Sequence, residues 1–144
     1  LILVGSGPLY RSYMSLIKKY NISDRIDIHD WTDNISDYLN SASLLVCPSR
    51  HEPFGNIVID GWAHKIPVIV SDTGGLGMLI KNKENGIKFI NEDVFDLVKK
   101  IKELTKNKKL ISRITKQAYE DFKSKFSEEI VLKEYISFFN KIKK

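Results

Sequence analysis

The sequence predicts an α/β protein: a mainly parallel sheet with helices on both faces, ending in a helical tail. Three observations lead there. Short apolar runs alternate with helical patterns at intervals of roughly 15–25 residues through the first two thirds of the chain. Several of these runs are continuously apolar, as strands buried on both faces are. From Asp93 onward only helical stripes remain.

Leu1-Ile2-Leu3-Val4 is a buried-strand run closed by Gly5-Ser6-Gly7-Pro8. Leu9 to Tyr20 follows as a helix, with Leu9, Tyr13, Leu16 and Ile17 on one face. Ile26–His29 reads as a second strand, and Ile35–Ser41 as a short helix with Asn34 as its cap. Leu44–Cys47 is a third strand, stopped by Pro48, and Gly55–His64 a helix. Pro67–Val70 is a fourth strand, Asp72-Thr73-Gly74-Gly75 a turn, and Gly86–Ile90 a short fifth strand. Three apolar stripes complete the chain: Val94 to Leu104, Leu110 to Phe122, and Val131 to Ile142, the last opened by Ser127 with Glu128 and Glu129 at its dipole end. Such βαβ chains bind ligands at the carboxyl ends of their strands, so the loops after Val4, His29, Cys47 and Val70 are where chemistry is expected.

The chain has 144 residues, enough for one domain with its own core. One cysteine excludes a disulfide framework and a cysteine-built zinc site, and no apolar run is long enough to span a bilayer. The N-terminus lacks the basic region and cleavage site of a signal peptide; it opens at Leu1 with a strand under way, as the interior of a larger protein would. Charge is uneven: residues 1–80 hold six Lys/Arg against eight acids (−2), and residues 81–144 hold 17 against 10 (+7). The lysines of the basic part sit between apolar positions at helical spacing, among Glu and Asp, and read as solvated helix faces. A nucleic-acid or anionic-membrane binder working through residues 81–144 is the rival reading of that charge.

The densest polar stretch is Pro48 to Asp60. A strand ends, a loop carries Glu52, and a helix begins near Gly55, whose free N–H groups and dipole favour anions. Asp60 lies one to two turns into that helix. Two carboxylates with amides between them can accept hydrogen bonds from hydroxyls and offer donors to phosphate, which suits a nucleotide-sugar. The same residues also admit a purely structural reading, with Glu52 capping the helix and Asp60 solvated. Gly5-x-Gly7 lacks the third glycine of the dinucleotide fingerprint, since Tyr10 stands there. His51 is read as exposed, His29 and His64 as structural, and Cys47 and Trp62 as core; no spacing supports a metal site.

Glu52-Pro53-Phe54-Gly55 followed by Asp60 resembles the E-x-F-G-x4-E signature of the group 1 (family 4) retaining glycosyltransferases, two-domain enzymes of the GT-B fold. The resemblance runs along the chain in order. Val4-Gly5-Ser6-Gly7-Pro8 is similar to V-G-x-G-P, Asp30-Trp31 stands where the family has Gly-Trp, and Pro48-Ser49-Arg50 precedes Glu52 as in P-S-x-x-E. Ala63 with Pro67-Val68-Ile69, Gly74-Gly75, Asn85-Gly86 and Phe126-Ser127 follow.

The resemblance implies that residues 1–144 form a single Rossmann-like donor-binding domain, the C-terminal domain of a GT-B enzyme. It would be incomplete at its N-terminus, with the acceptor domain and the Arg/Lys diphosphate clamp upstream of Leu1 and residues 93–144 as its helical portion. It implies retaining, metal-independent hexosyl transfer from a nucleoside-diphosphate sugar to a saccharide or lipid-linked hydroxyl acceptor, in cell-envelope or polysaccharide synthesis. No cofactor and no nucleic-acid partner are implied. Such enzymes are cytoplasmic, and some attach peripherally to the inner face of the membrane; here the Lys-tipped last helix is the one candidate anchor. Glu52 would be the catalytic residue at the reacting centre. Asp30, Trp31, Arg50, Phe54, Gly55, Asn56 and Asp60 would bind the donor, Asp30 and Trp31 by the base and Asp60 at the ribose hydroxyls. Three positions depart from the family: Asp60 replaces Glu, Lys65 replaces Gly, and Met78 stands where a Glu often follows the Gly-Gly pair. The rival from another class is a non-catalytic nucleotide-sugar-binding or assembly module of a split enzyme.

Overall fold

The computed structural model describes residues 1–142. The chain divides into two compact units, Leu1–Tyr38 and the remainder from Leu39. In the first unit, β1 (Ile2–Val4) and β2 (Asp27–His29) pair in parallel, with Val4 opposite His29. Helix α1 (Tyr10–Tyr20) joins them and buries Ile17. It ends on Asn21 at φ 51°, where the Ile22 N–H reaches back to the Ile17 carbonyl, the left-handed helix ending that asparagine tolerates well. Helix α2 (Ser36–Ser41) carries the chain onward. Asn34 does not cap it in the expected way: its Nδ2 donates to Asp37 Oδ2 at 2.9 Å instead of its oxygen accepting from the first turn.

The second unit holds a three-stranded parallel sheet in the order β3 (Leu45–Cys47), β4 (Val68–Ser71), β5 (Ile87–Phe89). The strands thus form two parallel sheets, one in each unit. β4 lies in the middle and all four of its residues are buried, which explains its unbroken Val-Ile-Val run. Its alternate side chains enter two cores. Val68 and Val70 pack with Cys47, Val58, Trp62, Leu76, Ile80 and Ala118. Ile69 packs with Ile87, Phe89, Leu104 and Ile114. Helices α3 (Asn56–Ala63) and α4 (Gly74–Leu79) cover the first face, and α5 (Val94–Thr105) the second. Stepping along the sheet in one direction through crossovers of one hand puts both connecting helices on the same side. Helix α6 (Lys108–Lys125) supplies Ala118 to one core and Ile114 to the other.

Helix α4 corrects the sequence reading, which stopped at a turn over Asp72–Gly75. Three glycines in six residues argue against a helix on propensity. Burial overrides propensity here: Leu76 is fully buried and Ile80 nearly so. Helix α7 (Glu128–Ile142) opens at Ser127 as expected, the Ser127 carbonyl accepting from the Val131 N–H at 3.0 Å and Glu128 and Glu129 standing in the first turn. Ser127 turns its hydroxyl back onto the Lys123 carbonyl at 2.9 Å, so it closes α6 and does not cap α7 with its side chain. No residue of α7 is buried, and the lysines at its tip, Lys143 and Lys144, lie outside the described residues. Among the described residues no helix is long and apolar enough to cross a membrane.

Candidate functional site

The loop between β3 and α3 runs over the carboxyl edge of the three-stranded sheet, and its backbone is held from two neighbouring strand ends. Ser71 Oγ donates to the Ser49 carbonyl at 2.5 Å, and Thr73 Oγ1 to the Arg50 carbonyl at 3.1 Å. The Gly75 N–H donates to the Glu52 carbonyl at 2.8 Å, and Asn91 Nδ2 reaches the Arg50 carbonyl at 3.4 Å. Ser71 is fully buried, so its bond to Ser49 also satisfies a hydroxyl that water cannot reach. These contacts fix where the Glu52 side chain leaves the chain. That side chain is half-buried and caps nothing, since no side chain caps α3. The capping alternative for Glu52 is thereby excluded.

Glycine is required where the two loops touch. A Cβ on Gly74 would lie 2.5 Å from the Glu52 carbonyl oxygen, and one on Gly75 2.5 Å from both Phe54 Cα and the Pro53 oxygen. These two glycines let α4 press its first turn against the Glu52-Pro53-Phe54 backbone. Gly55 opens α3 at φ 99°, and its Cβ would meet Leu76 Cδ2 at 2.8 Å. The Val58 N–H is bonded to the Gly55 carbonyl at 2.9 Å, and with no side-chain cap the Asn56 and Ile57 amides at the start of α3 remain available to an outside acceptor. Asn56 and Asp60 are one helical turn apart and share the face opposite Val58 and Trp62, which are in the core.

The second unit therefore gathers Arg50, Glu52, Phe54, Gly55, Asn56 and Asp60 within one loop and the helix it starts. Arg50 is exposed, with Nε 2.7 Å from Glu92 Oε1. The Phe54 ring lies 6.3 Å from that of Phe126, which in turn sits 6.2 Å from Trp62, so the end of α6 braces the start of α3. Asp30 and Trp31 belong to the first unit, directly after β2; Trp31 is 69% exposed. Of the remaining residues, Trp62 and Cys47 are core as expected. His64 is structural, its Nδ1 2.7 Å from the Asp60 carbonyl at the end of α3, and His51 is exposed. His29 packs its ring on Tyr38, 4.9 Å away. Among the described residues no group of three or more His, Cys, Asp or Glu is placed to hold a metal ion.

Sequence reasoning missed the residues that hold the loop. Ser71 and Thr73 are ordinary polar residues at a strand end, and nothing in their spacing marks them. The adjacent Gly74-Gly75 pair was the visible signal, and it marks a close approach of two backbones, not a turn. Lys88 was likewise silent: its Nζ bridges the Gly77 carbonyl at 2.6 Å and Asp72 Oδ1 at 3.1 Å, tying α4 to the loop before it.

Comparison with known proteins agrees with this arrangement. The family model described as glycosyl transferases group 1 matches residues 1–121. An uncharacterized glycosyltransferase of Methanocaldococcus jannaschii is 34% identical over 129 residues, covering 88% of this chain and 36% of that protein. The lipopolysaccharide core biosynthesis glycosyltransferase LpsE of Rhizobium meliloti is 25% identical, covering 94% of this chain and 40% of its own length. The chain thus spans well under half of these relatives. Sucrose-phosphate synthase of Thermosynechococcus elongatus superposes with a TM-score of 0.87 at 26% identity, over 99% of this chain and 38% of that one. Anabaena HepE in complex with UDP-glucose gives a TM-score of 0.89 at 18% identity, over 97% of this chain and 40% of its own, a likeness of fold. The architecture is that of the C-terminal domain of GT-B glycosyltransferases, and the chain belongs to the group 1 glycosyltransferase family.

Proposed function

We propose that this chain is the donor-binding domain of a retaining, metal-independent glycosyltransferase that takes a nucleoside-diphosphate sugar and passes the sugar to a saccharide or lipid-linked hydroxyl in cell-envelope glycan synthesis. The observation that carries the reading is the clamped loop: the Glu52 carbonyl is fixed on the Gly75 amide at the carboxyl edge of the sheet, next to an uncapped helix start at Gly55. Its relatives add support, since LpsE is named for lipopolysaccharide core synthesis and HepE was solved with UDP-glucose.

In this reading the diphosphate lies against the amides of Phe54, Gly55 and Asn56, and Arg50 supplies a cation at the loop. Negative charge builds on the leaving diphosphate as the glycosidic bond breaks, and fixed amides with a helix dipole stabilise it without reorganising. Glu52 faces the donor sugar near the reacting carbon. Asp60 accepts from the ribose hydroxyls, and its shorter side chain, by about 1.5 Å relative to Glu, is bridged by a water or a small shift. Asp30 and Trp31 flank the base. Acceptor binding and the remaining phosphate contacts belong to an N-terminal domain of the same enzyme, working in the cytoplasm at the inner face of the membrane.

Titration of the full-length protein with UDP and GDP, followed by transfer assays, tests this. Glu52→Ala is expected to abolish transfer while leaving the fold intact, because Glu52 holds its loop through its backbone carbonyl. Asp60→Ala is expected to weaken nucleotide binding by about 1–3 kcal/mol. Binding without transfer in the wild type would favour a non-catalytic module, and neither would end the reading. The anomeric configuration of the product by NMR tests retention, and activity in excess EDTA tests metal independence.

A further inference from the structure

The turn after β5 also contacts the Glu52 loop. Arg50 Nε is 2.7 Å from Glu92 Oε1, and the neighbouring Asn91 Nδ2 reaches the Arg50 carbonyl. Glu92 has φ 63°, a left-handed conformation that glycine or asparagine adopts readily and glutamate rarely. The conformation costs some backbone energy, as it does at Lys65 and Lys83; what sets Glu92 apart is the partner its side chain meets. Here the carboxylate reaches Arg50, two residues before Glu52. Both side chains are largely exposed, so the pair contributes little to global stability. The pair ties the Arg50 guanidinium to the β5–α5 turn, the same turn whose Asn91 reaches the Arg50 carbonyl.

We propose that Glu92 is a positioning residue, acting through Arg50 to hold the Glu52 loop in its donor-ready conformation. The donor half of this statement rests on the function proposed above; the hold on the loop does not.

The test is Glu92→Gly in the full-length protein, with Glu92→Asn as a second variant that also accepts the left-handed backbone. The thermal midpoint should stay level or rise, because strain is removed. Amide hydrogen exchange at Gly75, whose N–H donates to the Glu52 carbonyl, should nevertheless accelerate. Affinity for UDP or GDP, whichever the wild type binds, should fall about two- to fivefold, the scale of one exposed charge pair. In an Arg50→Ala background the same substitution should change neither. A more stable protein with a looser loop is an outcome that a merely structural Glu92 does not give. Unchanged exchange in both variants, or an equal change in the Arg50→Ala background, overturns the proposal. Accelerated exchange in a protein that binds neither nucleotide leaves the hold on the loop standing and removes the donor-site reading instead.

Discussion

The two edges of the three-stranded sheet handle left-handed backbone in different ways. At the carboxyl edge, Gly55 and Gly74 take positive φ where two segments crowd together, at 99° and 45°, while Glu92 takes 63° in the open turn after β5. At the amino edge the same region is occupied by Lys65 before β4 and Lys83 before β5, at 56° and 63°. The difference is one of space. A Cβ on Gly74 would strike the Glu52 carbonyl, and one on Gly55 the buried Leu76. Lys65 and Lys83 are exposed, so they meet only the backbone cost of the conformation, about 1–2 kcal/mol. Lys65 recovers part of that cost by placing Nζ 4.5 Å from the Tyr119 ring centre. It sits in a regular helix ending, with the Ile66 N–H bonded to the Gly61 carbonyl and the Lys65 N–H to Trp62, so a family glycine can be replaced here without altering the turn. Glycine is a convenience at the open left-handed positions, Lys65 and Lys83 at the amino edge and Glu92 at the carboxyl edge, and a requirement at Gly55 and Gly74, where a Cβ has no room.

Adding a single methyl group to each edge should break this comparison most visibly. Gly74→Ala combines backbone strain with a backbone collision and should cost about 3–5 kcal/mol in denaturant unfolding, with loss of donor binding. Gly55→Ala meets a side-chain end instead of backbone and should cost about 2–4 kcal/mol by the same measurement. At the amino edge the sign reverses. Lys65→Gly should stabilise the protein by about 0.5–1 kcal/mol after the lost cation–π contact is subtracted, with nucleotide affinity unchanged. Lys83→Gly should raise the thermal midpoint by a similar or smaller amount, since its N–H bond to the Gly86 carbonyl is kept. Equal effects at both edges would show that φ alone, not crowding, sets the glycine requirement.

The legibility of the chain follows the same physics. Strand and helix order was readable from periodicity, because burial on two faces leaves continuous apolar runs and burial on one leaves stripes. The C-terminal helices were readable for the same reason. Glu52, Gly55 and Asp60 stood out as a loop-to-helix polar cluster at a strand's carboxyl end, and the residues around them matched the family in order. Helix α4 was not readable, because the glycines that its packing against Glu52 and Phe54 demands are those that propensity counts against it. Nor was the pairing of Arg50 with Glu92, since residues 42 positions apart in sequence meet only through the order of the strands.

What this sequence determines by itself is therefore the type and order of its elements apart from α4, the edge at which chemistry is expected, and the family. Those are encoded locally, in side-chain period and in short runs of chemistry. The tertiary structure alone decided which backbones approach closely enough to exclude a Cβ, and which carbonyls of the Glu52 loop are held. It also decided which left-handed residues stand in open solvent. These are properties of the space between β3, β4 and β5, and no single segment of the chain contains that space.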